Sequence, residues 1–392
     1  MVSLKKVEAI STEMLEEIGL DWHTDSDGSG YISQSIVEIT QAEADVYYEA
    51  TNAIYDMYTE AAEYVIENEL FFELGIPFNL VDAIKKSWES DVHWHVYGRF
   101  DLAGGIDDKP IKLIEFNADT PTSLFETALL QWGILKYNKL DEEKQFNNVY
   151  EAISQNFKRL ITLFDDPESF DEHYEGWKIL FSSISNNAEE ERTTRLLQQM
   201  ASDAGFATAF EYLENVHFDE NGIYDAKENA YEYWFKLYPW EDIAIDEPEL
   251  ATTLTTIMQN QNAIILNPAY TLLFQSKGMM KILCDLFPDS PYLLKTSFEP
   301  LVGVKQVEKT VFGREGANTK IINADTSISQ EQDGPYANHK KIYQEYVEFP
   351  PDAEGAKYQA GVFFAYEACG LSFRRGGEIM DNMSKFVAHV IK

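Results

Sequence analysis

The chain has 392 residues and a formal charge of −36 at pH 7, with a pI near 4.4, so it lacks the basic footprint of a protein that binds nucleic acid or an anionic membrane surface. Its two cysteines, Cys284 and Cys369, are too few for a disulfide framework, and 45% hydrophobic with 14% aromatic residues suffice for a large core. Acids interrupt the opening MVSLKKVEAISTEMLEEIGL too early for a signal peptide, and no apolar run approaches the roughly 20 residues that span a bilayer, so a cytoplasmic protein is expected. The acidity is compatible with a cationic substrate such as a polyamine, and equally with solubility alone.

In chain order, residues 5–20 and 40–70 carry helical spacing, clearest in QAEADVYYEATNAIYDMYTEAAEYVIEN. Between them DSDGSGYI opens like a calcium loop, with Asp25, Asp27, Ser29 and Gly30 in place. The position for the bidentate Glu holds Ile36, so a surface turn is predicted. HWHVYGRFDL and IKLIEFNAD read as two strands joined by AGGIDDKP, a hairpin with turn-forming Gly, Asp and Pro. His93 and His95 alternate on its first strand without the Cys or His neighbours that zinc needs, and are read as packing residues.

Either polar pair of the hairpin alone reads as a solvated strand face, but two pairs followed at once by a polar turn point to a site. Arg99 with Asp101, and Glu115 with Asn117, are i, i+2 pairs, and such pairs share one face of a strand. Carboxylate and amide oxygens suit magnesium, and a guanidinium suits phosphoryl charge. The turn Thr120-Pro121-Thr122-Ser123 then leads into LFETALLQWGILK, an amphipathic helix whose N-terminus offers N–H groups to an anion.

The stretch YGRFDLAGGIDDKPIKLIEFNADTPTSLFE resembles the glutathionylspermidine synthetase family, whose synthetase half is a variant ATP-grasp ligase. The likeness runs from about residue 90 to the end. It implies an α/β, ATP-grasp-like synthetase with an antiparallel palm sheet, a β-α-β lobe and a nucleotide lid. The lobes fall near 1–149 (N-terminal helices and metal-binding hairpin), 150–268 (substrate lobe), 269–350 (ATP lid) and 351–392 (C-terminal palm segment). The family's amidase domain is expected to be absent.

Residues 176–216 read strand, helix, strand: GWKILFSSI, AEEERTTRLLQQMASDAG ending at Gly205, and FATAFEYLENV. Glu189, Glu190 and Glu191 fall at the helix N-terminus, where acids are ordinary caps. The resemblance makes Glu189 and Glu190 substrate candidates. It matches Trp234, Lys236, Trp240 and Glu241 to a Trp-rich family stretch, with Glu241 a further substrate candidate. Thr120 and Thr122 stand where the family uses serines against its thiol-peptide substrate. NAIILNP, 262–268, reads as a buried strand, and SKGMMKILCDLF as a helix with Lys277 in its first turn.

VGVKQVEKTVFGREGANTKII has two strand-like runs around GREGAN and no Walker A spacing. On its own this is a hairpin. By resemblance Lys277 and Lys309 bind ATP, Gly313, Arg314, Gly316 and Asn318 form a loop over the phosphates, and Thr310 departs from the family's proline. Gln344, Glu345, Tyr346 and Val347 would form the adenine hinge, and Gln359 a nucleotide contact. Of the pair Arg374 and Arg375 before two glycines, Arg375 is the better-registered match to the catalytic arginine. The implied chemistry uses ATP and Mg: Asp101, Glu115 and Asn117 hold the metal, Arg99 stabilises the transferring phosphoryl group, Arg375 steadies the acyl phosphate, and that acyl phosphate of a glutathione-like acid is captured by a spermidine-like amine. The alternatives are a different acid and amine pair, or a nucleotide-binding regulator without ligase activity.

Overall fold

The computed structural model describes residues 1–163 and 166–392. Helix α1, Gln41–Glu67, starts at a capping box in which the Thr40 hydroxyl and the Glu43 carboxylate each bond the other's amide. Its buried stripe Tyr47, Thr51, Ile54, Tyr58, Ala61 and Val65 packs behind the hairpin strands β1, Gly98–Ala103, and β2, Lys112–Asn117. The 5–20 stretch is less helical than its spacing predicts: Leu4–Lys6 is a strand and only Thr12–Glu17 is helix.

His93 and His95 precede β1 rather than lying in it. Side chains replace the strand ladder there: Asn267 accepts from the Val96 amide, and Asn156 donates to the carbonyls of His95 and Val96. Both histidines are buried, as packing residues should be. The 25–32 segment is a turn, closed by Asp25–Ser29 and Asp25–Gly28 backbone bonds.

After α2, Val149–Thr162, the chain builds a parallel sheet from β3 (Lys178–Ser183), β4 (Ala207–Tyr212), β5 (Tyr233–Lys236) and β6 (Ile264–Leu266), in the order β6-β5-β3-β4. Helix α3, Ala188–Asp203, crosses from β3 to β4 and ends as expected at Gly205, whose φ of +108° needs no Cβ. Helix α4, Trp240–Asp246, follows β5. Lys277 lies just before helix α5, Met279–Leu286, rather than inside its first turn.

Next come β7 (Thr296–Ser297), β8 (Gln306–Thr310), β9 (Thr319–Ile322), β10 (Ile328–Gln332) and β11 (Lys341–Glu345), an antiparallel sheet in the order β7-β11-β8-β9-β10. Strands β12 (Lys357–Ala365), β13 (Glu367–Gly376) and β14 (Lys385–Val387) return to the hairpin and complete a central sheet β14-β13-β12-β1-β2. Residues separated by more than 250 positions thereby share one face.

Candidate functional site

The register of β1 and β2 sets Arg99 opposite Asn117 and Asp101 opposite Glu115. Between them Phe100 and Phe116 stack at 3.7 Å on the other, buried face. Strand alternation therefore puts the polar four together, as the spacing predicts. Arg99 donates to both Asp101 oxygens at 2.8 and 3.1 Å and to the Thr122 carbonyl at 2.8 Å. Glu115 is 3.3 Å from Lys277 Nζ, which also donates to the Gly313 carbonyl at 2.7 Å. Lys309 donates to Gln344 Oε1 at 2.9 Å and to the Ile114 carbonyl at 3.3 Å.

Arg99, Asp101, Glu115, Asn117, Lys277, Lys309 and Gln344 line one cavity of about 340 Å3, the size of a small-molecule site. The cations Arg99, Lys277, Lys309, Arg314 and Arg374 line it among carboxylates that include Asp101, Glu115, Glu189 and Glu190, so the wall carries both signs of charge. Burial works against the Glu115 carboxylate, yet Lys277 and Lys309 outweigh it and hold the group below its ordinary range. Burial pushes Asp101 up against the pull of Arg99. Burial also brings Lys309 down to about 8, against the pull of Glu115. Ile114, Leu294, Val307, Ile321 and Phe349 give the same cavity an apolar wall beside these cations, which suits a flat ring attached to phosphates.

The donors Asp101, Glu115 and Asn117 are hard oxygen ligands, fitting magnesium rather than zinc. Among the described residues no cluster of three or more His, Cys, Asp or Glu side chains could hold an ion. An ion on this trio would complete its shell with water or phosphate oxygens, which is how magnesium is usually held.

Gly313, Arg314 and Gly316 border the cavity from the β8–β9 connection. Gly316 has φ +70°, and a Cβ there would come 2.6 Å from the Met380 carbonyl, so the loop lies flat on the 379–380 segment only as glycine. Asn318 is not on the cavity wall: its side chain accepts from the Tyr336 amide at 2.7 Å and fixes the loop's exit. Gln344, Glu345, Tyr346 and Val347 all line the cavity, but the amides of Glu345 and Tyr346 already donate to the carbonyls of Lys295 and Lys305. Gln344 points its side chain at Lys309 instead of solvent. Gln359 faces the cavity from β12.

Thr120, Thr122, Glu189 and Glu190 line the same space. The helix N-terminus ought to favour ionised acids, but burial, reinforced by the charge of Glu126, pushes Glu189 up to about 7. Burial raises Glu190 too, with Arg314 opposing. Glu241 stands one layer back, buried, with Oε1 at 3.3 Å from Arg314.

Arg375 is corrected by the structure. It turns away from the cavity to pair with Asp352 at 2.9 Å and Glu354 at 2.7 Å, and Arg374 faces inward in its place. Adjacent strand residues point to opposite faces, so only one of the pair could line the site.

Sequence reasoning also missed Tyr31, carried to the cavity from the N-terminal segment, and Glu378 and Asp381 at its far end, none of which has a local motif. It read Lys236 as part of an aromatic stretch without a partner. Lys236 is fully buried against fully buried Asp119, at 2.9 and 3.3 Å, with the Tyr238 carbonyl and Trp240 amide completing their bonds. The pair ties the end of β2 to the end of β5.

The mixed α/β scaffold that carries this cavity has a solved counterpart of the same overall fold. A solved glutathione synthetase-like effector from Globodera pallida aligns over 99% of this chain and 100% of its own, with a TM-score of 0.56 at 12% identity. The sequence pattern described as Glutathionylspermidine synthase preATP-grasp matches residues 3–392, and the chain belongs to that family. A Haemophilus influenzae protein whose name places it among acid–amine ligases is 29% identical over 399 residues, covering 96% of this chain and 95% of its own. The bifunctional glutathionylspermidine synthetase/amidase of Escherichia coli is 23% identical over 87% of this chain and 56% of its own length. The glutathionylspermidine synthase of Crithidia fasciculata is 23% identical over 67% of this chain and 39% of its own.

Proposed function

We propose that this protein is an ATP-dependent carbon–nitrogen ligase that joins a peptide-like carboxylic acid to an amine through an acyl phosphate. The observation that carries the reading is one cavity in which Asp101, Glu115 and Asn117 share a hairpin face opposite Lys277 and Lys309. Family membership and the relatives' names support it. Asp101, Glu115 and Asn117 would hold magnesium, which neutralises phosphate charge when bound. Arg99, Lys277 and Lys309 bind and orient the phosphates, and Arg374 takes the role assigned to Arg375 from the sequence. The β8–β9 loop serves as the lid, excluding water from the activated acid. Positioned charges of this kind supply most of the catalysis in phosphoryl transfer.

Glutathione is the first acid to try and spermidine the first amine, since two relatives carry those substrates in their names. The acidic wall of Glu189 and Glu190 suits a cationic amine. The threonines at 120 and 122 add methyl groups to the acid's side of the pocket. ADP release by purified protein with magnesium-ATP tests the reading: turnover requires both an acid and an amine and is lost in Arg99→Ala. Tight ATP binding without turnover, across a panel of peptides and amines, identifies a nucleotide-binding regulator instead.

A further inference from the structure

An alkylamine is an ammonium ion at neutral pH and cannot attack an acyl phosphate until it loses a proton. Among the described residues no histidine lines the cavity. Its lysines are engaged at the hairpin side, with Glu115, Gly313 and Gln344. Asp101 and Glu115 belong to the proposed metal site. Of the other lining carboxylates, Glu315 and Glu345 are exposed, Glu378 pairs with Lys305 at 3.8 Å, and Asp381 accepts from the Met383 amide and the Ser384 hydroxyl, which leaves Glu189 and Glu190 in the first turn of α3. Glu190 feels Arg314 of the loop. Glu189 lines the cavity together with Tyr31, Thr122 and Arg374.

A buried carboxylate lies behind this group. Glu126 is fully buried; its Oε1 accepts from Trp22 Nε1 at 2.9 Å and from the Tyr31 hydroxyl at 3.0 Å, and its Oε2 has no partner among the described residues. It begins a π-helical turn, Glu126–Leu130, a distortion that recurs at functional sites. The charged groups that bear on Glu189 are Glu126 and Glu315, which oppose its ionisation, and Arg374, which favours it.

We propose that Glu189 takes the proton from the attacking amine, and that Glu126, behind Tyr31, is the positioning residue that keeps Glu189 able to take it. This inference rests on the ligase reading. The proton passes from the ammonium nitrogen to the Glu189 carboxylate, and the freed lone pair forms the C–N bond at the acyl carbon. The carbon–oxygen bond to phosphate breaks with its electron pair remaining on phosphate. The second nitrogen proton leaves on the phosphate, and Glu189 returns its own to solvent. Its elevation to about 7 by burial and by Glu126 supports the role, because a proton acceptor works best near the operating pH.

The test compares amide formation from spermidine with hydroxamate formation from hydroxylamine, using glutathione and magnesium-ATP. Hydroxylamine is uncharged at neutral pH and needs no acceptor. In Glu189→Gln, kcat for the amide at saturating spermidine falls ~100-fold or more, while hydroxamate formation changes by less than about threefold. Glu126→Gln, checked for an intact thermal transition, moves the acid limb of the amide kcat profile to lower pH, because Glu189 then ionises more readily. A rise in spermidine KM alone in Glu189→Gln, an equal loss of hydroxamate, or an unmoved limb in Glu126→Gln overturns the proposal. A wild-type protein that makes hydroxamate but no amide from spermidine, putrescine or methylamine overturns the proton acceptor alone. One that makes neither product overturns the ligase reading beneath it.

Discussion

Gln359 and Arg374 stand directly opposite each other on β12 and β13, while Tyr358 is opposite Arg375. Directly paired residues on neighbouring strands share a face. Gln359 and Arg374 therefore both reach the cavity, and Arg375 is carried to the other side of the sheet. Arg374→Ala is expected to lower kcat by ~10²–10³-fold, the scale for removing one charge-stabilising group. Arg375→Ala should leave kcat within about threefold and cost ~1–2 kcal/mol in urea unfolding, because it strips the buried Asp352 of a donor. Steady-state kinetics and equilibrium unfolding of both variants separate the two outcomes.

The oxygen trio on the hairpin makes a metal-dependence prediction. Glu115→Gln and Asn117→Ala should each raise the magnesium concentration for half-maximal ADP release by ~10–100-fold, at least the effect of losing an outer partner of a bound ion. Titration with magnesium chloride at saturating ATP reads this directly. An unchanged midpoint in both variants would remove the trio from the account.

Lys236 and Asp119 form an ion pair with no exposed surface on either side. Burial pushes both groups towards neutrality, and their mutual attraction opposes it. Lys236→Met leaves a carboxylate buried without its cation, and a loss of ~3–5 kcal/mol in unfolding free energy is expected. Lys236→Met combined with Asp119→Asn should recover part of that loss. If the single variant is as stable as the parent, the pair is not the joint described.

His389 is fully buried; Nε2 accepts the Phe146 amide at 2.9 Å and Nδ1 lies 3.1 Å from Gln131 Oε1. Burial lowers its pKa from 6.5 to about 3. The folded state thus binds this proton less readily than the unfolded state, so its contribution is present above pH ~6.5 and is lost as pH falls towards 3. His389→Gln keeps an acceptor for Phe146 and removes the titration. Between pH 6 and 4 the variant's stability should fall less steeply than the parent's, by ~1.4 kcal/mol per pH unit. Urea unfolding across that range provides the slopes, and parallel slopes would contradict the assignment.

Much of the site was legible because it follows local alternation. The pairs Arg99/Asp101 and Glu115/Asn117 needed only strand parity, and the β3-α3-β4 unit needed only a change of period and a terminal Gly205. What was not legible depends on non-local register. Arg374 over Arg375 is decided by pairing with Gln359, in strands whose register also shifts at Phe363 and Phe364. His95 and Val96 left the strand ladder because Asn156 and Asn267, far along the chain, took over their backbone bonds, and the His93 amide turns back to the Ser90 carbonyl. Glu126 became a buried partner of Trp22 and Tyr31 through a π turn that side-chain spacing does not announce. Asn318, read as a loop residue over phosphates, instead fixes the strand exit through Tyr336.

The central claim is that ATP activates a carboxylate in the cavity bounded by Arg99, Lys277, Lys309 and Arg374. Glutathione labelled with 18O in its carboxylates, turned over with magnesium-ATP and spermidine, tests it most directly. The account predicts that the released phosphate carries one 18O per turnover, because the acid's oxygen leaves on the phosphoryl group. Amide formation with unlabelled phosphate would contradict the acyl phosphate, and no ADP with any acid and amine pair would contradict the ligase itself.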